Sequence, residues 1–399
     1  MLAKKYCVVL FLGVVLASGD DTLKEFRQGT VDFSSSLYRE IVKHENGNVI
    51  ASPLSVQIGL ALIQLGASGE TALELAKGLH LPNSPEKIKE SFKDLLTKLR
   101  GNEFYTLNSA NKVFVKDGYT LNPDYFKLSE EIFDAGLENI DFTDTVQASQ
   151  TINKWVEGKT NDKIKNLISP DMLNALTRLV LVNAVYFKAN WSMPFDVYAT
   201  TKRKFFKSEE ENTDVTMMHQ VETFNFAENK ELDAKFLELP YDGGDVSFTI
   251  VLPNKKVGLN YLEKQLNEVL KPQNYSYERI NLFLPKFKIE SSLQLVPTLK
   301  ALGIKKPFDG DESDLSGILE NKERLVISDV IQKAFINVTE TGTEAAAATA
   351  VAVNRVYFDT TMLPSPINFI ADHPFLYFIK VQNVIVFIGR VIEMEHSVL

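Results

Sequence analysis

The chain has 399 residues, 45% of them hydrophobic, with 43 Lys plus Arg against 52 Asp plus Glu and a formal net charge of -9 at pH 7. That apolar share supports a large core, and the acidic balance argues against a nucleic-acid ligand and against anionic membranes. The single cysteine, Cys7, lies near the start, inside the segment read below as a signal peptide, so the mature chain forms no disulfide. Lys4 and Lys5, the apolar run from Tyr6 to Leu16 and the small residues Ala17-Ser-Gly19 have the pattern of a secretory signal peptide over residues 1–19. The run is too short to span a bilayer. The mature protein is therefore expected outside the cell, with a charge of -11 once the two lysines are lost from -9. No linker, repeat or low-complexity tract divides 20–399, which are read as one domain.

In chain order, the first third is mostly helical. Thr30 to Lys43 is amphipathic, and Pro53 to Gly66 is apolar at helical spacing. Gly69 to Gly78 and Pro85 to Leu99 follow as helices. Strand character appears at Ala110 to Val115, a helix at Ser149 to Thr160, and a fully apolar strand at Arg178 to Phe187. From Val215 onward strands dominate: Phe236 to Pro240, Val246 to Leu252, Arg279 to Lys288 and Ile327 to Val338. Short helices interrupt at Leu259 to Leu270 and Leu293 to Leu302. Phe375 to Val381 and Val384 to Ile392 form a hairpin with Gln382 and Asn383 in its turn. Helices first and strands later make the class α+β.

One segment fits no regular element. Glu340-Thr-Gly-Thr-Glu-Ala-Ala-Ala-Ala348 runs on into Thr349-Ala-Val-Ala-Val353, small or β-branched and uncharged from Ala345 to Asn354. Such a tract suits an exposed loop and equally a strand in a sheet. Behind it come Asn354-Arg-Val-Tyr-Phe358, attractive to proteases, and the breaker-rich Thr360-Thr-Met-Leu-Pro-Ser-Pro366. Elsewhere stand Asn48-Val-Ile-Ala-Ser-Pro-Leu-Ser55, Leu181-Val-Asn-Ala-Val-Tyr-Phe-Lys-Ala-Asn-Trp191, Leu239-Pro-Tyr241, Leu284-Pro-Lys286, Asp314-Leu-Ser-Gly317, Asp372-His-Pro-Phe375 and Phe387-Ile-Gly-Arg390. In this order and over nearly the whole mature chain, these motifs resemble the serpin (serine protease inhibitor) superfamily.

The resemblance implies a serpin fold of about three β-sheets with eight or nine helices and a reactive-centre loop exposed over about 340–366. It implies no catalytic residue, only a bait bond and a tract that inserts into the central sheet after cleavage. Fourteen or so residues at ~3.3 Å each give roughly 46 Å of strand, enough to carry a tethered protease far from its docking point. The hinge positions are Glu340, Gly342, Thr343, Ala345, Ala346, Ala347 and Ala348. Gly342 supplies backbone freedom, Thr343 is the first side chain to enter, and Glu344 faces outward by alternation. Relatives that do not inhibit spoil this hinge with bulky, charged or proline residues. A non-inhibitory carrier or binding serpin is the alternative reading.

Family spacing sets the residue before the cut at Val356, give or take one. Arg355 would suit trypsin-like proteases, Val356 elastase-like and Tyr357 chymotrypsin-like ones, whose primary pocket is a hydrophobic slot. The segment from the cut to Pro374 is longer than the family leads one to expect, and the favoured bond is Tyr357–Phe358, then Val356–Tyr357. Ser52, Ser55, Asn183 and Gln332 match the polar cluster beneath the parting strands, with Gln332 in place of the family's frequent histidine. Lys286 and Glu340 match an ion pair at the top of the sheet, and Trp191 a position near the loop's entry.

Nothing in the sequence suggests an enzyme. The five histidines, His44, His80, His219, His373 and His396, have no metal-binding spacing, and no phosphate loop, dinucleotide fingerprint or nucleophile elbow is present. No metal or cofactor is expected, and the partner is a serine protease met by a monomer. Lys87, Lys89, Lys93, Lys98 and Arg100 cluster where some serpins bind heparin, but Glu86, Glu90 and Asp94 interleave them, which makes a solvated helix face. Of the sequons at Asn190, Asn274 and Asn337, only Asn274 sits in a polar loop suited to a glycan.

Overall fold

The computed structural model describes residues 24–82, 84–133, 135–321, 323–343 and 365–394. The expected signal peptide, the tract 344–364 and the last five residues lie outside them. Nine α-helices occur among the described residues. They are α1 (24–41), α2 (Pro53–Leu65), α3 (Gly69–Gly78), α4 (Pro85–Leu99), α5 (Pro123–Phe133), α6 (Thr145–Lys159), α7 (Leu259–Lys264), α8 (Leu266–Val269) and α9 (Val296–Ala301). None is long and apolar enough to cross a membrane. α4 starts where the Ser84 hydroxyl accepts the Lys87 N–H and Pro85 takes the first position. Its buried side is Ile88, Ser91, Phe92, Leu95 and Leu99, which leaves the lysines in water. α2 is different: almost every residue is buried, as befits a helix inside the core.

The strands form two hydrogen-bonded networks. A six-stranded sheet runs β10 (Phe287–Gln294), β11 (Ile327–Thr339), β12 (Gly342–Thr343), β4 (Leu179–Asn190), β2 (Tyr105–Lys116), β3 (Gly136–Ile140). A nine-stranded network runs β1 (Val49–Ala51), β15 (Val384–Val391), β14 (Phe375–Val381), β8 (Val246–Pro253), β7 (Ala234–Pro240), β6 (Asn212–Asn229), β9 (Ser276–Pro285), β13 (Ile367–Ile370), with β5 (Thr201–Phe206) also on β6. The long β6 belongs to two groups. Its first half pairs with β5 and its second with β7, while β9 follows it from Met217 to Phe226. Counted this way there are three groups of strands.

The stretch read as one strand from Arg279 to Lys288 is two. β9 ends at Pro285 in one network, Lys286 turns the corner with its N–H on the Thr216 carbonyl, and β10 starts at Phe287 in the other. The hairpin of β14 and β15 is closed by Gln382 (φ 47°) and Asn383 (φ 66°), both left-handed, as a two-residue turn between twisted strands requires.

Both faces of the six-stranded sheet are covered. On one side Leu179, Leu181, Val185 and Phe187 of β4 join the main core. On the other, Val180, Val182 and Ala184 meet α6 and the segment after it, through Ile152, Val156, Ile164 and Leu167. This explains the unbroken apolar run of β4.

One buried ion pair locks the chain's end to its start. Arg390 donates to Glu263 at 2.9 Å and to the carbonyls of Gly47 (3.1 Å) and Glu45 (2.6 Å). Arg390→Ala leaves the Glu263 carboxylate buried without its cation. We expect a loss of about 3–5 kcal/mol in denaturant unfolding. A loss below about 1 kcal/mol would show that water reaches the site.

Candidate functional site

The two central strands of the six-stranded sheet, β4 and β11, run parallel and pair from Ile327 with Leu179 to Phe335 with Tyr186. Above that point β12 stands between them, antiparallel to both. Thr343 pairs with Val338 on one side and Ala189 on the other, and Gly342 with Thr339 and Asn190. A two-residue wedge therefore already occupies the mouth of the seam.

The wedge explains its own sequence. A Cβ on Gly342 would lie 2.1 Å from the Ala189 carbonyl oxygen, so glycine is needed for close backbone approach rather than for freedom alone. Thr343 is fully buried and its hydroxyl lies 2.5 Å from that of Tyr241. Thr343 was expected as the first side chain to enter; it is already inside. Ala345, Ala346, Ala347 and Ala348, and the bait candidates Arg355, Val356, Tyr357 and Phe358, lie outside the described residues.

Trp191 holds the same corner. Its ring stacks on Tyr241 with centroids 4.4 Å apart, its indole N–H donates to the Thr339 carbonyl at 2.8 Å, and its backbone N–H donates to that of Thr341 at 3.0 Å. It is at once a core residue and a neighbour of the seam's mouth. Glu340 sits beside it, with Lys286 at 2.8 Å and the Thr200 hydroxyl at 3.1 Å. Burial disfavours the carboxylate there, but Lys286, a backbone N–H and Thr200 outweigh it and hold Glu340 below its ordinary range. The lowered value means that this stabilisation is complete above the ordinary carboxylate range and fades as pH falls through the lowered one.

Lower in the seam lies the polar cluster. Gln332 donates to the Asn183 carbonyl oxygen at 2.6 Å, and its amide exchanges two 2.9 Å bonds with the Ser52 backbone. Asn183 in turn donates to Ser55 and, at 2.5 Å, to Asn111. Ser55 shares a 2.6 Å bond with Ser109, and the Ser52 hydroxyl donates to the Val386 carbonyl at 2.7 Å. The Gln332–Asn183 bond crosses directly between the paired central strands β11 and β4. Gln332 is well suited to this junction, since its amide both donates and accepts. Asn111, Ser109, Tyr241 and Thr200 were not assigned roles from the sequence. Tyr241 was quoted only within a motif, and nothing local to Asn111, Ser109 or Thr200 marks them.

Of the described histidines, His44 and His80 are exposed and the other two have structural contacts. His373 spans Asp372 and the Pro253 carbonyl, each at 2.7 Å, and His219 stacks on Phe283 with centroids 4.3 Å apart. Among the described residues no group of His, Cys, Asp and Glu could hold a metal ion. Asn274 is exposed in a loop between α8 and β9; Asn190, also exposed, ends β4, and Asn337 is half-buried in β11.

Comparison with known proteins agrees with this geometry. Residues 28–394 match the family model described as serpin, serine protease inhibitor. A relative from Bombyx mori named antichymotrypsin-2 is 37% identical over 91% of this chain and 96% of its own. Another from the same insect, named antitrypsin, is 35% identical over 96% of this chain and 98% of its own. The crystal structure of Serpin48 from Tenebrio molitor, described as a highly specific serpin, superposes with a TM-score of 0.87 at 43% identity, over 93% of this chain and 99% of that one. The fold, the wedge in the seam and these matches together assign the chain to the serpin (serine protease inhibitor) family, whose members are not catalysts.

Proposed function

We propose that this chain is an irreversible suicide-substrate inhibitor of serine proteases, secreted after loss of residues 1–19 and acting as a monomeric single domain over 20–399. The observation that carries the reading is the register of β12. Continued downward one residue at a time, it sets Glu344 between Lys188 and Asn337, Ala346 between Tyr186 and Phe335, and Ala348 between Ala184 and Lys333. Thr349 arrives between Asn183 and Gln332, where a hydroxyl can replace the bond that parting breaks. Ala346, Ala348, Ala350 and Ala352 fall on the face covered by α6, while Ala345, Ala347, Val351 and Val353 fall on the main-core face. A strand covered on both sides must be uncharged on both sides, and from Ala345 to Val353 this tract is.

The mechanism follows. The protease attacks the bait bond and forms its ordinary acyl-enzyme. The freed end enters the seam and draws the protease along before deacylation. Names of relatives do not choose the protease, since an antichymotrypsin and an antitrypsin are about equally similar. The favoured bait, Tyr357 before Phe358, fits a hydrophobic slot, and on it we favour chymotrypsin-like enzymes. Asn274 is the proposed glycan site.

Mixing the protein with chymotrypsin should give a complex that survives boiling in detergent. The released C-terminal peptide should begin at Phe358. Simple cleavage by chymotrypsin, elastase and trypsin alike would sink the inhibitor reading. A peptide starting at Val356 would mean the bait is Arg355, and one starting at Tyr357 that it is Val356.

A further inference from the structure

We infer that a cavity on the outer face of the six-stranded sheet binds a small polyanion, an oligophosphate or oligosulfate, and that the bound anion holds the seam closed. The cavity, about 500 Å³, lies between the segment after α6 and strands β10 and β11. Lys163, Lys165, Lys288 and Lys333 line it, against the carboxylates of Asp162 and Glu290. Four cations facing two anions in one concavity stand out on a chain whose formal charge is -9. A concave wall with an excess of one sign concentrates counter-ions. Lys333 is the fixed member. It is 8% exposed, and its ammonium reaches the Lys165 carbonyl at 2.6 Å and Glu290 at 2.7 Å, leaving a third N–H. The opposite wall is set by left-handed backbone at Asn161, Asp162 and Asn166, with φ of 50°, 58° and 51°.

The two walls belong to parts that separate. The cover formed by α6 and the segment after it packs its apolar side on Ala110, Phe114, Val180, Val182 and Ala184 of β2 and β4, and meets β11 through Ile331, Phe335 and the Lys333 bond to the Lys165 carbonyl. A strand entering the seam moves β11 away from β4 by about 4.8 Å. Lys288 and Lys333 then leave Lys163 and Lys165, and an anion bridging the pairs loses contacts. By linkage, it binds the uninserted form more tightly and slows insertion. That coupling rests on the insertion mechanism proposed above; the binding does not.

The test is calorimetric titration of the full chain at low salt with sodium tripolyphosphate and, separately, sucrose octasulfate. One site is expected, weakened about tenfold by Lys165→Ser or Lys288→Ser, both exposed positions. The better binder identifies phosphate or sulfate as the source. Binding of neither, or binding that both variants leave unchanged, overturns the site. Affinity should fall in loop-cleaved protein; equal affinity there, in a preparation that still traps protease when intact, overturns the coupling alone.

Discussion

Replacing Thr343 with Arg should turn the protein from an inhibitor into a substrate of the same protease. Thr343 stands between Val338 and Ala189 with its hydroxyl against Tyr241, and no carboxylate is among these neighbours. A guanidinium there would be buried unpaired. The wedge can avoid that by leaving the seam, because β12 is two residues long and the rest of the sheet pairs without it. The intact variant therefore stays folded, but the strand that must follow has to bring the charge back in. A penalty of about 3 kcal/mol at the insertion barrier slows it roughly a hundredfold. Deacylation then wins, and moles of inhibitor consumed per mole of protease inactivated should climb from near one to more than about ten. Thr343→Ser keeps the hydroxyl and should keep trapping. So should Glu344→Ala, since the continued register brings Glu344 only to half-buried neighbours at the top of the seam. An ordinary ratio for Thr343→Arg would show that entry at this hinge is not what arrests the protease.

How much of this was readable beforehand depends on the range of the interaction. α3 and α4 end where their glycines, prolines and apolar spacing say, because those signals act within a few residues. β5 escaped notice for a physical reason. Thr201-Lys-Arg-Lys-Phe-Phe206 carries three exposed cations, as an edge strand does when it must not pair further, and so it reads as a polar loop. α5 and β3 were missed as well. The corner at Lys286 was invisible because one strand pattern continues through a change of sheet. The polar cluster was legible only by resemblance: Gln332 and Asn183 are 149 residues apart, and nothing local to either says that they meet. Tyr241 was quoted as part of a motif, yet its two duties, stacking Trp191 and capping Thr343, exist only in three dimensions.

Cutting the loop without trapping should make the protein more stable. A metalloprotease forms no acyl-enzyme, so a nick anywhere near Val353 to Phe358 frees the tract and leaves nothing tethered to it. In the intact chain β4 and β11 satisfy one another's backbone groups directly from Leu179 to Tyr186. Each residue that enters between them pairs on both sides, which adds backbone bonds overall. It also buries Val351 and Val353 against the main core. In the uncut chain the far end of the tract leads into β13, which pairs with β9 at Ile367 to Ile370, and that tether is expected to oppose insertion. On that expectation the native fold would be held away from its lowest free energy by a chain connection, which is kinetic stability rather than equilibrium stability. With both fragments retained, the melting temperature should rise by more than about 10 °C, equivalent to several kcal/mol at this chain length. A carrier with an inert loop would melt unchanged or earlier after the same cut. That result would exclude loop insertion as the source of any inhibition, whatever protease was used.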